Sequence, residues 1–422
     1  MRQVFDPISR RSMLAGAAAL GASTLFSSGV VAEELSIWEQ MARNRILRDT
    51  NRGGNTAEAL KAIDTNEPIL SMDTAYNLEL AIRKYEGVVA QGGWDPLPRE
   101  IFRLVAGNKR HAVKNLKRRF VQMGDMAADT RITDTFGSDM DVGLRTFQAR
   151  HGLIVDGKVG EETFYALAVP AEVRLNQLRL NALRVGTLAA TLPERYVLVN
   201  IPAAVIEAVD ANLVAQRHTA VVGRIDRQTP ILKSRIHEIN FNPYWHVPKS
   251  IIRRDLIRYM NDDPNYLANY KIHIYDGAGQ ELSPSAIDWT TDDAVQYAFR
   301  QEPGAENSMG HVKINFHNPH AVYLHDTPGK SLFGENRRFH SSGCVRVENV
   351  DSFVAWILRS NGGWDEGAIN AVFDSNERLD VSVSNPVPIY TGYITAWANR
   401  QGVVSFRDDV YEYDAQGRID FS

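Results

Sequence analysis

Apolar positions along this 422-residue chain fall into blocks of different period. In 33–106, Ile37, Met41, Ile46 and Leu47, then Leu78, Leu80, Ile82 and Tyr85, are loosely spaced for amphipathic helices of a helical scaffold. Gly92-Gly93-Trp94-Asp95-Pro96 with Pro98 breaks that pattern. In 107–168, Val113, Leu116 and Phe120 predict a helix ending at Gly124. Leu144 and Phe147 share one face of a second helix over about 141–151, with Gly152 where a left-handed C-cap belongs. The turn Asp156-Gly157 leads to a third helix, opened by Gly160-Glu161-Glu162-Thr163. A linking helix fills 169–194 through Leu175, Leu178, Leu180 and Leu183.

After Pro193 the texture becomes β-branched and extended. Tyr196–Ile201, ended by Pro202, then Val205–Val209, Thr219–Val222, Val312–Phe316 and Ala321–His325 predict a β-rich domain over 195–370. It is interrupted at about 246–308, where Ile251, Ile252, Leu256, Ile257 and Met260 predict a helix before the turn Asn261-Asp262-Asp263-Pro264. An insertion of this kind often caps a site. The stretch 371–422 carries strand-like pieces at Val387–Tyr393 and Val403–Phe406 and is expected to pack back on the core. The fold class is therefore α+β, with a mostly-β core and an inserted subdomain, preceded by helical units.

Composition narrows the classes. Hydrophobic residues make up 44% and charged residues 23%, which suits a globular chain rather than a disordered or fibrous one. A net charge of −4 gives no basic excess to hold nucleic acid. The single cysteine, Cys344, leaves no intramolecular disulfide and no zinc site built from several cysteines. Residues 1–32 read as an export signal: Arg2, Arg10 and Arg11 precede the apolar or small stretch Met13–Phe26, and Val30-Val31-Ala32 suits a signal peptidase. That stretch is too short for an ordinary membrane span, and no later run of 18 apolar residues follows. Ser9-Arg10-Arg11-Ser12-Met13-Leu14 resembles a twin-arginine signal, although Met13 replaces the usual phenylalanine; a plain secretory signal is the alternative. Cleavage would leave a net charge near −6.

Chemistry concentrates around Cys344. Residues 340–346 read His-Ser-Ser-Gly-Cys-Val-Arg, and His325 lies nineteen positions before the cysteine. A free thiol is only about 3% ionised at pH 7, and a histidine within reach can take its proton. Gly343 permits close backbone approach beside the nucleophile. These are the parts of a Cys–His acyl-transfer site, though most single cysteines are buried and inert.

The motifs are more specific than the parts. His325-Asp326-Thr327-Pro328 and Ser341-Ser342-Gly343-Cys344-Val345-Arg346 resemble the active site of L,D-transpeptidases with a YkuD-type catalytic domain. Val199-Asn200-Ile201-Pro202, Gly223 with Thr229-Pro230, Asn242-Pro243-Tyr244-Trp245-His246-Val247-Pro248 and Asn318-Pro319 extend the likeness to large periplasmic members with a capping insertion. Phe147-Gln148, Gly152-Leu153, Asp156-Gly157, Val159-Gly160, Thr163 and Leu167 resemble the helical peptidoglycan-binding domain, used for glycan contact or kept as a spacer.

The resemblance implies attack by Cys344 on the carbonyl between residues three and four of a tetrapeptide stem, with His325 as base and then acid. D-Alanine leaves, and an acceptor diaminopimelate amine resolves the thioester into a 3→3 cross-link. The amides of Gly343 and Cys344 are expected in the oxyanion hole, with Ser342 in the supporting loop. Arg346 either holds a substrate carboxylate or orders the loop. The third catalytic group is a backbone carbonyl near Ser342 or Asp326, since Ser342 stands where many relatives have histidine. Tyr244, Trp245 and Tyr270 either line a groove beneath the cap or are core aromatics, and His340 is an exposed loop residue. No cofactor is implied. The implied partners are donor and acceptor stems, wall glycan through 107–168 and peptidoglycan synthases, in a Gram-negative periplasm. Carbapenems would acylate Cys344.

Three alternatives remain at this level. The same site with water or a lipoprotein amine as acceptor makes an L,D-carboxypeptidase or an anchoring transferase. His311, His317, His320 and His325 lie close enough in sequence for a metal site, but Asn318-Pro319 interrupts the strand and no carboxylate motif accompanies them. A wall-binding scaffold without activity would ordinarily have lost Cys344 or His325.

Overall fold

The computed structural model describes residues 53–60, 63 and 65–419. The export-signal reading of 1–32 and the helical expectation at Ile37–Leu47 lie outside the described residues. After α1 (Gly53–Leu60), α2 (Met72–Ala90) starts at Ser71, whose hydroxyl accepts the Thr74 amide at 3.1 Å. Three helices follow as read from the period: α3 (His111–Met123), α4 (Ser138–Arg150) and α5 (Glu161–Ala168). They close on Val113, Leu116, Phe120, Leu144, Phe147 and Leu167. Gln148 and Asp156 pin the turn between α4 and α5 through a 2.8 Å side-chain hydrogen bond.

Pro170 caps α6 (Ala171–Ala189) only two residues after α5. Leu175, Leu178 and Val185 of α6 pack on Leu78, Ile82 and Tyr85 of α2. Leu80 and Leu183, read as part of the apolar faces, are 45% and 57% exposed. They fall off the i, i+4, i+7 rows that meet at this contact.

The β domain begins with β1 (Arg195–Asn200), β2 (Val205–Asp210), β3 (Leu213–Gly223) and β4 (Leu232–Phe241). The insertion then opens with β5 (Trp245–His246) and a helical run of α7 (Lys249–Ile251), a π turn (Ile252–Leu256) and α8 (Ile257–Asp262). It continues through α9 (Tyr266–Asn269), β6 (Ile272–Tyr275), β7 (Glu281–Leu282) and β8 (Ala298–Gln301). Its own sheet, ordered β5-β8-β6-β7, and a core including Val247, Leu256, Ile274 and Phe299 make it a separate subdomain on the barrel.

The chain returns as β9 (Val312–Phe316), β10 (Leu324–His325), β11 (Phe339–Ser341) and β12 (Val345–Val347). Helices α10 (Val350–Leu358) and α11 (Glu366–Ser375), β13 (Leu379–Gly392) and the hairpin β14 (Ala396–Ala398) with β15 (Val404–Phe406) complete it. The large sheet runs β11-β3-β12-β10-β9-β4-β13-β1-β2, and β2 pairs back to β3, closing a barrel. Val199, Ile206, Ile236, Ile314, Leu324, Val345 and Ile389 fill one core with Val350, Phe353, Val354 and Ile357 of α10.

Two expectations change. The strand foreseen over Ala321–His325 is laddered only at Leu324–His325. Asn318 captures the preceding residues in a turn, its amide donating to Phe316 O and Val322 O at 2.9 and 2.8 Å. The stretch 371–422 does more than pack back on a finished core: β13 lies inside the sheet, between β4 and β1. Among the described residues, no helix is long and apolar enough to cross a membrane.

Candidate active site

Register builds the site. β10 runs parallel to β12, with Leu324 opposite Val345 and His325 opposite Arg346, and antiparallel to β9, with His325 opposite Lys313. Leu324, Val345 and Ile314 point into the barrel. Strand alternation therefore puts His325, Arg346 and Lys313 on the opposite face, together with Tyr323 and Cys344. The Val345 amide donates to Tyr323 O at 3.1 Å and sets Cys344 beside Tyr323.

His325 is 6% exposed, and its Nδ1–H donates to Asp326 O at 2.5 Å. That bond leaves Nε2 as the acceptor. The buried Asp326 carboxylate in turn accepts the His311 amide at 3.0 Å and the Lys330 ammonium. A Cβ at Gly310 would run into that carboxylate at 2.2 Å, so glycine is required there. Burial lowers the His325 pKa to about 3, and Arg346 and Lys313 push the same way, against the pull of the Asp326 carbonyl.

Burial also pushes the thiol of the half-buried Cys344 up. Opposing it are hydrogen bonds from the Tyr323 backbone and hydroxyl, and the charges of Lys313 and Arg346. The Tyr323 phenol is itself raised by burial, so it stays a donor, and the indole of Trp245 hydrogen-bonds to it. The resting pair is a thiol and a neutral imidazole.

Gly343 sits at φ +114, a conformation L side chains rarely adopt. Its carbonyl accepts the Thr229 hydroxyl at 2.9 Å. Its amide donates to Ser341 Oγ at 3.1 Å, and Ser341 Oγ donates onward to Cys344 O at 2.5 Å. The Gly343 amide, expected in the oxyanion hole, is here engaged by Ser341 within its own loop. The donors at the sulfur are the Tyr323 backbone amide and hydroxyl, and the Cys344 amide has no hydrogen bond among the described residues. Ser342 is exposed and takes a 2.8 Å hydrogen bond from Arg227, which also grips Asp255 of the inserted subdomain at 2.5 and 2.9 Å.

The other sequence candidates are dispersed. Trp245 reaches Tyr323 from the inserted subdomain, whereas Tyr244 is stacked between Arg300 and Arg378, at 4.4 and 4.6 Å. Tyr270 ends an aromatic stack with Tyr266 and Tyr259. His340 is engaged by Glu335 at 2.7 Å. His311 stacks on Phe373, His317 on His237, and His320 is exposed, so these do not converge with His325. The sequence reading passed over Tyr323, Lys313, Arg227 and Asp255, and gave Ser341 no role of its own within the motif. Alternation from His325 was the signal for Tyr323, two residues upstream. Arg227 and Asp255 had none, because their partners are distant in sequence.

The YkuD family, described as "L,D-transpeptidase catalytic domain", matches residues 194–389, and "Putative peptidoglycan binding domain" matches 109–167. A Haemophilus influenzae protein named "Putative L,D-transpeptidase" is 35% identical over 222 residues, covering 52% of this chain and 45% of that one. The chain thus spans about half the length of this curated relative. Among solved structures, an L,D-transpeptidase (residues 123–326) from Xylanimonas cellulosilytica is 14% identical, covering 71% of this chain and all of that one, with a TM-score of 0.20. One from Mycobacterium smegmatis is also 14% identical, covering 47% and 58%, with a TM-score of 0.24. Likenesses this distant add nothing about activity. The chain thus carries, over 194–389, a segment similar to the YkuD L,D-transpeptidase catalytic domain and, over 109–167, one similar to a peptidoglycan-binding domain.

Proposed function

We propose that this chain forms 3→3 peptidoglycan cross-links through a Cys344 thioester. The observation that carries the reading is Cys344 and His325 on one face of adjacent parallel strands, with His325 Nδ1 fixed on the Asp326 carbonyl. Nε2 takes the thiol proton as sulfur attacks the L-centre carbonyl of diaminopimelate in a tetrapeptide stem. The Cys344 amide and Tyr323 hydroxyl stabilise the oxyanion. Collapse breaks the amide bond, and the D-alanine amine leaves with the proton from Nε2. An acceptor diaminopimelate amine then attacks the thioester, gives its proton to His325 and restores the thiol.

The subdomain over 245–308 shields the thioester from water, which competes with the acceptor amine. The 107–168 domain holds wall glycan. Export by a twin-arginine signal to a Gram-negative periplasm would bring the enzyme to its substrate. The test is mass spectrometry of products from disaccharide-tetrapeptide with the wild-type chain, Cys344→Ala and His325→Ala. The expected product is a dimer short of one D-alanine, absent with both variants. Tripeptide alone would replace this reading with a carboxypeptidase, and no Cys344-dependent product would overturn it. A carbapenem adduct on Cys344 is expected in the same instrument.

A further inference from the structure

Lys313 and Arg346 stand on either side of His325, opposite it in the β9 and β12 ladders. With strands about 4.8 Å apart, their backbones lie about 10 Å from each other across the imidazole. Both side chains are half-buried. Of the most buried arginines, Arg145, Arg150 and Arg184 pair with Asp141, Asp125 and Asp414, while Arg119 and Arg174 donate to the Leu167 carbonyl and to Gln177, at 2.7 and 2.9 Å. Among the described residues neither Lys313 nor Arg346 has an ion-pair partner, and Arg346 Nε is buried without a hydrogen bond. Lys313 Nζ instead rests 4.6 Å from the Tyr323 ring centroid. Desolvated cations left unpaired beside a base are costly, and they oppose the imidazolium that acyl transfer requires.

We propose that Lys313 and Arg346 each bind one carboxylate of the donor, making the site selective for a peptide end that carries two. One carboxylate sits on the side chain of the acyl-donating residue and the other on the departing C-terminal residue. Diaminopimelyl-D-alanine has this pattern, so the inference rests on the proposed function and specifies its donor. Two bound carboxylates neutralise both cations and restore basicity to His325 when the thiol proton has to move.

The test compares the free-acid tetrapeptide with two monoamides, one amidated on the side-chain carboxylate and one at the C-terminus. They are assayed with wild type, Lys313→Met, Arg346→Met and the conservative Lys313→Arg. Each cation-deleting variant should lose about 10- to 100-fold in kcat/KM on the free acid, with a raised KM. Each should also become indifferent to one amidation while staying sensitive to the other, and Lys313→Arg should recover most of the loss. Equal losses on all three substrates would overturn the proposal. So would a shifted pH profile of Cys344 alkylation by iodoacetamide without discrimination between amides, which would make the cations supports of the thiolate. Calorimetric binding of the three peptides to Cys344→Ala, with and without Lys313→Met, reads the carboxylate contacts without turnover. Tighter binding of the free acid there sustains the subsite even if the cross-linking reading fails, and equal binding of all three refutes it.

Discussion

At pH 7 His325 is neutral, and its environment sets the acid response of both stability and rate. The ordinary histidine value is about 6.5, while burial and two cations lower His325 to about 3. Between those values the unfolded chain binds a proton that the folded chain refuses, so stability falls as pH drops from about 6.5 towards 3. At pH 5 the loss from this residue is about 2 kcal/mol. Urea unfolding at pH 7 and pH 5 should show a smaller drop for His325→Gln than for wild type. The free base also persists in mild acid, so kcat/KM should change by less than about twofold between pH 5 and 8. An acid limb near pH 6.5 would contradict the neutral, desolvated imidazole. Motif spacing made Cys344 and His325 legible, and one of the two carbonyl positions read from it, Asp326, is where Nδ1 is bound. The hydrogen bond from the Gly343 amide to Ser341 was not legible, because residue order does not say which way Ser341 turns.

Among elements, the β3–β4 loop organises the catalytic turn. Thr229, fully buried, accepts the Gly223 amide and donates to the Gly343 carbonyl, both at 2.9 Å. Thr229→Val keeps the volume and removes both bonds, leaving two buried polar groups unsatisfied. It should cost about 2–4 kcal/mol in denaturant unfolding and lower the rate of Cys344 acylation. The same loop sends Arg227 to Ser342 and to Asp255, tying the inserted subdomain to the catalytic turn. Asp255→Asn removes the ion pair. The tripeptide share of products should rise as the cap loosens and water reaches the thioester; an unchanged share would show that this tether does not control the cap. The insertion was expected from the helical pattern of Ile251, Ile252, Leu256, Ile257 and Met260 within a β-rich stretch. The interior place of β13 was not. Its register against β4 shifts between Ser382 and Val387, and this bulge, with Pro386 and Pro388, interrupts the strand pattern, so that only Val387–Tyr393 reads as strand-like.

In the whole molecule, the 107–168 domain is bolted to the catalytic domain. Arg150 at the end of α4 donates to Val404 O of β15 at 3.0 Å, and Arg407 donates back to Arg150 O at 2.9 Å. The Ile154 amide donates to Asn336 at 2.7 Å and Glu162 pairs with Arg337, so the segment joining His325 to Cys344 also touches this domain. Only two residues separate α5 from α6, which leaves no slack for swinging. Under the proposed function, a glycan held at 107–168 would lie at a set distance from Cys344. Arg150 is the residue to test, because its partner Asp125 has a side chain only 1% exposed. Arg150→Ala strands a buried carboxylate and removes the bond to β15, which should cost about 3–5 kcal/mol. Calorimetric unfolding should change from one transition to two as the helical domain uncouples. Cross-linking of intact sacculi should then fall further than cross-linking of soluble muropeptides, because only the sacculus needs both domains at a fixed separation. A single transition with an unchanged midpoint, or equal losses on both substrates, would mean that the docking seen here does not govern how the enzyme meets the wall.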